Sequence, residues 1–164
     1  MAKQAKNLED LFTGSLKDIY FAEKKILAAL PRMAKAAQNE DLAAAFEKHQ
    51  AETEEHVTRL EQVFELMEEP AKGKTCPAIL GILEEGQEMM KEFKGSSALD
   101  AALVAAAQSV EHYEISKYGS LRTWAEELGQ TEAVGLLDET LEEEKATDEA
   151  LTDLAEAVVN AEAA

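Results

Sequence analysis

Cysteine is nearly absent from this 164-residue chain, Cys76 being the single copy, so no intramolecular disulfide can form. Proline occurs three times and glycine eight times, too rarely to break the chain into many short elements. Aromatics make up only 5% of the residues. No run approaches the ~18 consecutive apolar residues of a membrane span, so a transmembrane segment is not expected. The start, MAKQAKNLEDL, has no apolar stretch after its lysines, and a secretory signal is therefore not expected either. The expected compartment is the cytoplasm. Cationic residues are scarce, 16 Lys and Arg against 34 Asp and Glu, which leaves a formal charge of −18. A surface of that sign repels phosphate backbones and anionic lipid, so neither nucleic acid nor membrane is an expected partner.

What remains is Ala, Leu, Glu and Lys, all strong helix formers, in a length that fits one domain over residues 1–164. Five helical segments are expected. The first runs from about Asn7, a good N-cap, to Ala37, with Pro31 predicting a kink or an early end near Leu30. The second runs from about Glu40 to Glu68 and stops at Pro70. A shorter helix follows from Cys76 to about Phe93, capped by Thr75. The fourth starts at a capping-box-like Ser97–Asp100 pair and reaches Leu128, with Gly129 closing it. The last begins at a capping Thr131 and ends near Asn160.

Gln38 and Asn39 alone separate the first two long helices, so these fold back on each other, as do the last two. Roughly thirty residues, including the short helix, lie between the two hairpins. One long crossover of this kind is the connectivity of a ferritin-like four-helix bundle with a short fifth helix in the crossover.

Read at three- and four-residue spacing, each long helix presents an apolar stripe interrupted by acid or imidazole near its middle. Glu23 interrupts the first stripe. His49, Glu52 and His56 occupy the second, Glu111 and Glu114 the third, and Glu144 and Asp148 the fourth. An isolated buried carboxylate costs several kcal/mol, and six acids packed together would repel one another. Two divalent cations would neutralise four of those charges, and oxygen with imidazole ligands suits iron, manganese or zinc. Di-metal carboxylate bundles take one Glu from each of two helices and a Glu-x-x-His pair from each of the others. This chain departs from that pattern, with Thr at position 53 and Asp148 where a histidine is usual, so one ion would have a nearly all-oxygen shell. His49 and Glu111 are read as either ligands or hydrogen-bond partners of ligands.

Other polar positions carry plainer expectations. Glu54, Glu55, Glu142 and Glu143 are assigned to the solvated flank, and His112 and Glu127 to the surface. Tyr20, Tyr113 and Tyr118 are read as packing residues, and Met89 and Met90 as seating the short helix. Cys76 is read as a small apolar residue or a weakly reactive thiol, and Trp124 as core or interface.

The stretches DIYFAEKKILAALPRMA, HQAETEEHVTRLEQVFE, VEHYEISKYGSLRTWAEELG and LEEEKATDEALTDLA, with the connection KGKTCPAI, resemble the YciE/YciF group of ferritin-like bacterial proteins. The resemblance runs from about Leu8 to Ala155. It implies a ferritin-like bundle, homodimers, a di-metal site and an association with stress responses, without a defined reaction. The expected function is a di-iron or iron/manganese protein that reacts with oxygen or peroxide. The competing expectation, from another class, is a non-catalytic dimeric structural or interaction protein whose metals, or only protons, staple the bundle, with a structural or vestigial metal site. Iron storage would require a hollow cage, and DNA protection is opposed by the charge.

Overall fold

A computed structural model describes residues 5–164, which are helical apart from short connections. Four long helices, α1 (Leu8–Ala36), α2 (Glu40–Leu66), α4 (Leu99–Glu127) and α5 (Thr131–Leu154), form the bundle, and α3 (Pro77–Glu92) lies in the crossover. A π turn over Ala155–Val159 prolongs α5 into a last short helix, α6 (Asn160–Ala163). Around the bundle α1 neighbours α2, α2 neighbours α5, α5 neighbours α4, and α4 neighbours α1 again; α3 packs outside against α4 and α1. The fold is the ferritin-like one. No helix among the described residues is long and apolar enough to cross a membrane.

The helix directions follow from one carboxylate. Buried Asp100, in the first turn of α4, accepts hydrogen bonds from the backbone N–H of Gln38 (2.8 Å) and Asn39 (2.7 Å) in the α1–α2 turn. The start of α4 therefore sits at the end of α1 and the start of α2, so α2 and α4 run parallel. Parallel helices at opposite corners of the bundle cannot be joined by a tight turn, and the chain must return the length of the bundle first. α3, 16 residues long, covers about 24 Å of that return at about 1.5 Å per residue, and the connections on either side of it supply the rest. Gly86 of α3 permits a close approach to α4, since a Cβ there would lie 3.3 Å from the Cβ of Ala106.

The helix ends correct several sequence expectations. Asn7 caps α1 through a full capping box with Asp10. Of the kink or early end expected at Pro31, the early end does not occur: the proline lies on the exposed side, and buried Leu30 and Met33 hold the helix to Ala36. α2 ends at Leu66 rather than Glu68, closed by Glu68 in a left-handed conformation (φ 54°) with Glu69 N–H bonded back to Phe64 O. Cys76, not Thr75, is the N-cap of α3 and makes no capping bond. Ser97 and Asp100 form no capping box, since Ala98 is the N-cap and Asp100 is committed to the α1–α2 turn. Gln130 precedes α5, with Thr131 already inside the helix. Gly129 closes α4 at φ 70°, as its position predicts.

Candidate metal centre

Six side chains from the four long helices meet in one buried layer: Glu23 of α1, His49 and His56 of α2, Glu111 and Glu114 of α4, and Glu144 of α5. None is more than 3% exposed, so any charge among them is held away from water. They form two groups within reach of an ion, His49 with Glu111, Glu114 and Glu144, and Glu23 with His56 and Glu144. Glu144 belongs to both groups. The helical period explains the choice on α2. His49 and His56 are seven residues apart and differ by only about 20° around the axis, whereas Glu52 is about 60° from His49.

The contacts inside the layer are close but not arranged as hydrogen bonds. His49 Nε2 lies 3.0 Å from Glu111 Oε1, and His56 Nδ1 lies 3.0 Å from Glu144 Oε1 and 3.4 Å from Glu23 Oε1, yet neither nitrogen has hydrogen-bond alignment. Among the described residues nine buried side-chain oxygen and nitrogen atoms lack a hydrogen-bond partner, and all nine belong to these six residues. Native interiors leave few such atoms, and a cluster of them calls for a specific cause. Burial and neighbouring carboxylates accordingly push protons onto the acids: Glu111 rises to about 7, Glu144 to about 8, and Glu114 well above the usual carboxylate range. Burial works against a charge on His56, but its contacts with Glu144 and Glu23 outweigh that and raise it to about 11.

The surrounding groups hold this layer in place, and two of them differ from the sequence expectation. Glu143 is not on the solvated flank: its Oε2 lies 2.9 Å from His56 Nε2, and both its oxygens accept from Arg59 (2.7 and 3.0 Å). The run Glu142–Glu144 offers no way to tell which acid turns inward, although an arginine one turn after a core histidine was a usable signal. Tyr118 is more than packing, because its buried hydroxyl donates to Glu23 Oε1. A buried phenol needs such a partner, and four residues separate it from Glu114 on the same stripe. Thr53, between the histidines, turns its hydroxyl back to the His49 carbonyl at 2.7 Å.

Glu52 and Asp148 lie beside the layer and not within it. Glu52 is paired with Lys48 at 3.2 Å, accepts from Thr147 Oγ1 at 3.4 Å, and stands 4.0 Å from His49 Nδ1. Asp148 faces Gln108 Nε2 (3.3 Å) and the exposed His112 Nε2 (3.1 Å). A four-residue step from Glu144 overshoots one turn by about 40°, which carries Asp148 toward α4 and solvent. Glu54, Glu55, Glu142 and Glu127 are exposed. Tyr20 donates to Glu61 at 2.8 Å, and buried Cys76 lies 3.0 Å from the Tyr113 hydroxyl. Trp124, Met89 and Met90 are partly buried.

The chain is 48% identical over 159 residues to Protein YciF of Escherichia coli (strain K12), covering 96% of each chain. The crystal structure of the E. coli stress protein YciF superposes with a TM-score of 0.90, covering 95% of this chain and 99% of that one. YcfI of Rhodopseudomonas palustris, described as a candidate structural protein, matches at 43% identity and a TM-score of 0.88 over 93% of this chain and 97% of its own. The chain is thus YciF-like in sequence and structure along nearly its whole length, and the family described as Domain of unknown function (DUF892) matches residues 7–164, so the chain belongs to that family.

Proposed function

We propose that Glu23, His49, His56, Glu111, Glu114 and Glu144 hold two divalent metal ions, iron first and manganese or zinc as alternatives, in a cytoplasmic stress protein that reacts with oxygen or peroxide. The observation that carries this reading is the set of nine unpartnered buried atoms, all on these six side chains. Four carboxylates with two neutral imidazoles carry four negative charges, which two divalent ions balance. His49, Glu111 and Glu114 would take one ion and Glu23 and His56 the other, with Glu144 shared between them. A redox-active pair held by these residues would supply electrons to an oxidant and Lewis acidity at the site. The protein's own part is positional. Glu143 accepts from His56 Nε2 and thereby keeps Nδ1 toward the layer, Arg59 clamps Glu143, and Tyr118 orients Glu23. The E. coli relative's description as a stress protein supports the physiological setting. Anaerobic titration of metal-free protein with Fe(II), then exposure to dioxygen or peroxide, tests the reading. Saturable binding followed by oxidant consumption and an optical change supports it; protein that binds iron and leaves both oxidants untouched refutes the reactive function.

A second reading, a dimeric non-catalytic protein whose metals only staple the helices, draws on the description of YcfI as a candidate structural protein. It predicts a large rise in melting temperature on metal loading with no oxidant consumed, and a solution mass of two chains.

A further inference from the structure

Two small cavities adjoin one another on the α3 side of the bundle. The outer one, about 40 Å³, lies between α1, α3 and α4, with the exposed Arg32 and Gln87 at its edge. The inner one, about 20 Å³, reaches His49 and Glu111 of the metal layer. Ala29, Met33, Leu83 and Val110 line both. Except for His49, Glu111 and Thr147 the inner wall is apolar. Three surface clefts elsewhere among the described residues are lined by none of the six layer residues.

We propose that this pair of cavities is the entry route and holding site for dioxygen, a small uncharged apolar molecule, on its way to the His49–Glu111 side of the centre. The proposal rests on the metal-centre reading and names the oxidant it uses. An inner space of this size exceeds the ~10–15 Å³ that one water needs, and His49, Glu111 and Thr147 could partner a water there, but the four side chains common to the two cavities are apolar and offer a polar molecule no hydrogen bond on the way in. Hydrogen peroxide has donors and acceptors at both ends and would have to give up its hydrogen bonds to pass the same four side chains. Dioxygen has neither, so the apolar passage costs it no hydrogen bond. Leu83 comes from α3, the element inserted in the crossover, so α3 completes the wall of the route as well as returning the chain.

The route is tested in metal-free protein by comparing methyl proton relaxation under dioxygen and under nitrogen, dioxygen itself being the paramagnetic probe. Methyl groups of Met33, Leu83 and Val110 should show relaxation enhancements several-fold above those of Leu16, Leu42 and Leu137, which line neither cavity. Leu83→Phe should abolish the difference at Met33 and Val110. Should that variant fail to fold, Ala29→Val obstructs the same place from α1. In iron-loaded protein the obstruction should slow oxidation by dioxygen at least tenfold, with iron stoichiometry and oxidation by peroxide unchanged. Uniform enhancement across the core methyls, or equal slowing of both oxidants, would overturn the route. If no iron binds, the metal reading fails by itself, and the relaxation experiment still decides whether dioxygen occupies the cavities.

Discussion

His56 and Glu143 meet at 2.9 Å between Nε2 and Oε2, on the side of the imidazole that faces away from the carboxylate layer. Glu143 is in turn held by both terminal nitrogens of Arg59. A histidine that ligates a metal through one nitrogen is commonly fixed through the other by a carboxylate, and losing that partner lowers metal affinity. Glu143→Ala should therefore weaken binding of the ion on the His56 side by ~10–100-fold, read by chelator competition, with helical content retained. Unchanged affinity would show that His56 needs no outer support.

The pH dependence of the metal-free protein follows from the raised acids. Glu111 and Glu144 titrate at about 7 and about 8 in the fold, chiefly because burial disfavours their charge, against 4.5 for an ordinary glutamate. His56, held up by Glu144 and Glu23 despite its burial, stays protonated to about 11 against 6.5. In all three the folded state binds protons more tightly than the unfolded chain. Their contribution to stability is present below the unfolded values and is lost as pH rises through the folded ones. Urea unfolding of metal-free protein should show stability falling between about pH 5 and pH 9. A rise over that interval would contradict the burial of these groups.

Metal loading should reverse that trend. The ions must displace the protons on the same carboxyls and on His56, so binding releases protons and tightens as pH rises. Calorimetry in buffers of different ionisation enthalpy measures the release. Binding without proton release would mean that the ligands are already ionised in the metal-free fold.

Asp100 joins the two hairpins by accepting from Gln38 and Asn39, and it is buried. Asp100→Ala leaves two backbone N–H groups without their charged acceptor and should cost on the order of 2–4 kcal/mol in urea unfolding. A loss within ~0.5 kcal/mol, the range of an ordinary surface change, would show that the turn is held by something else.

Much of this arrangement was legible because burial and period act through the same residues. Glu23, His49, Glu111, Glu114 and Glu144 are polar interruptions of otherwise apolar stripes, and such interruptions are costly unless they share a purpose. Hairpin loops too short for anything but antiparallel return made the connectivity readable as well. What stayed hidden depends on rotation about a helix by less than the width of a stripe. Glu52 and Asp148 share a face with true layer residues, yet an offset of about 40–60° turns them toward Lys48 and His112. Glu143 was hidden for the converse reason, since it lies outside the stripe and reaches the layer only through His56. The role of Asp100 depends on which ends of α1 and α4 meet, and a local capping pattern does not carry that information.

Metal content by elemental analysis tests the central claim most directly, on the wild-type chain beside Glu144→Gln, Glu52→Gln and Asp148→Asn, each loaded with Fe(II) and desalted. Wild-type protein should retain about two ions per chain, as a di-metal carboxylate bundle does. Glu144→Gln, which removes the charge of the carboxylate common to both groups, should retain less than one. Glu52→Gln and Asp148→Asn should bind as the wild type does. Wild-type protein that retains no metal, or metal lost in Asp148→Asn and kept in Glu144→Gln, would contradict the account.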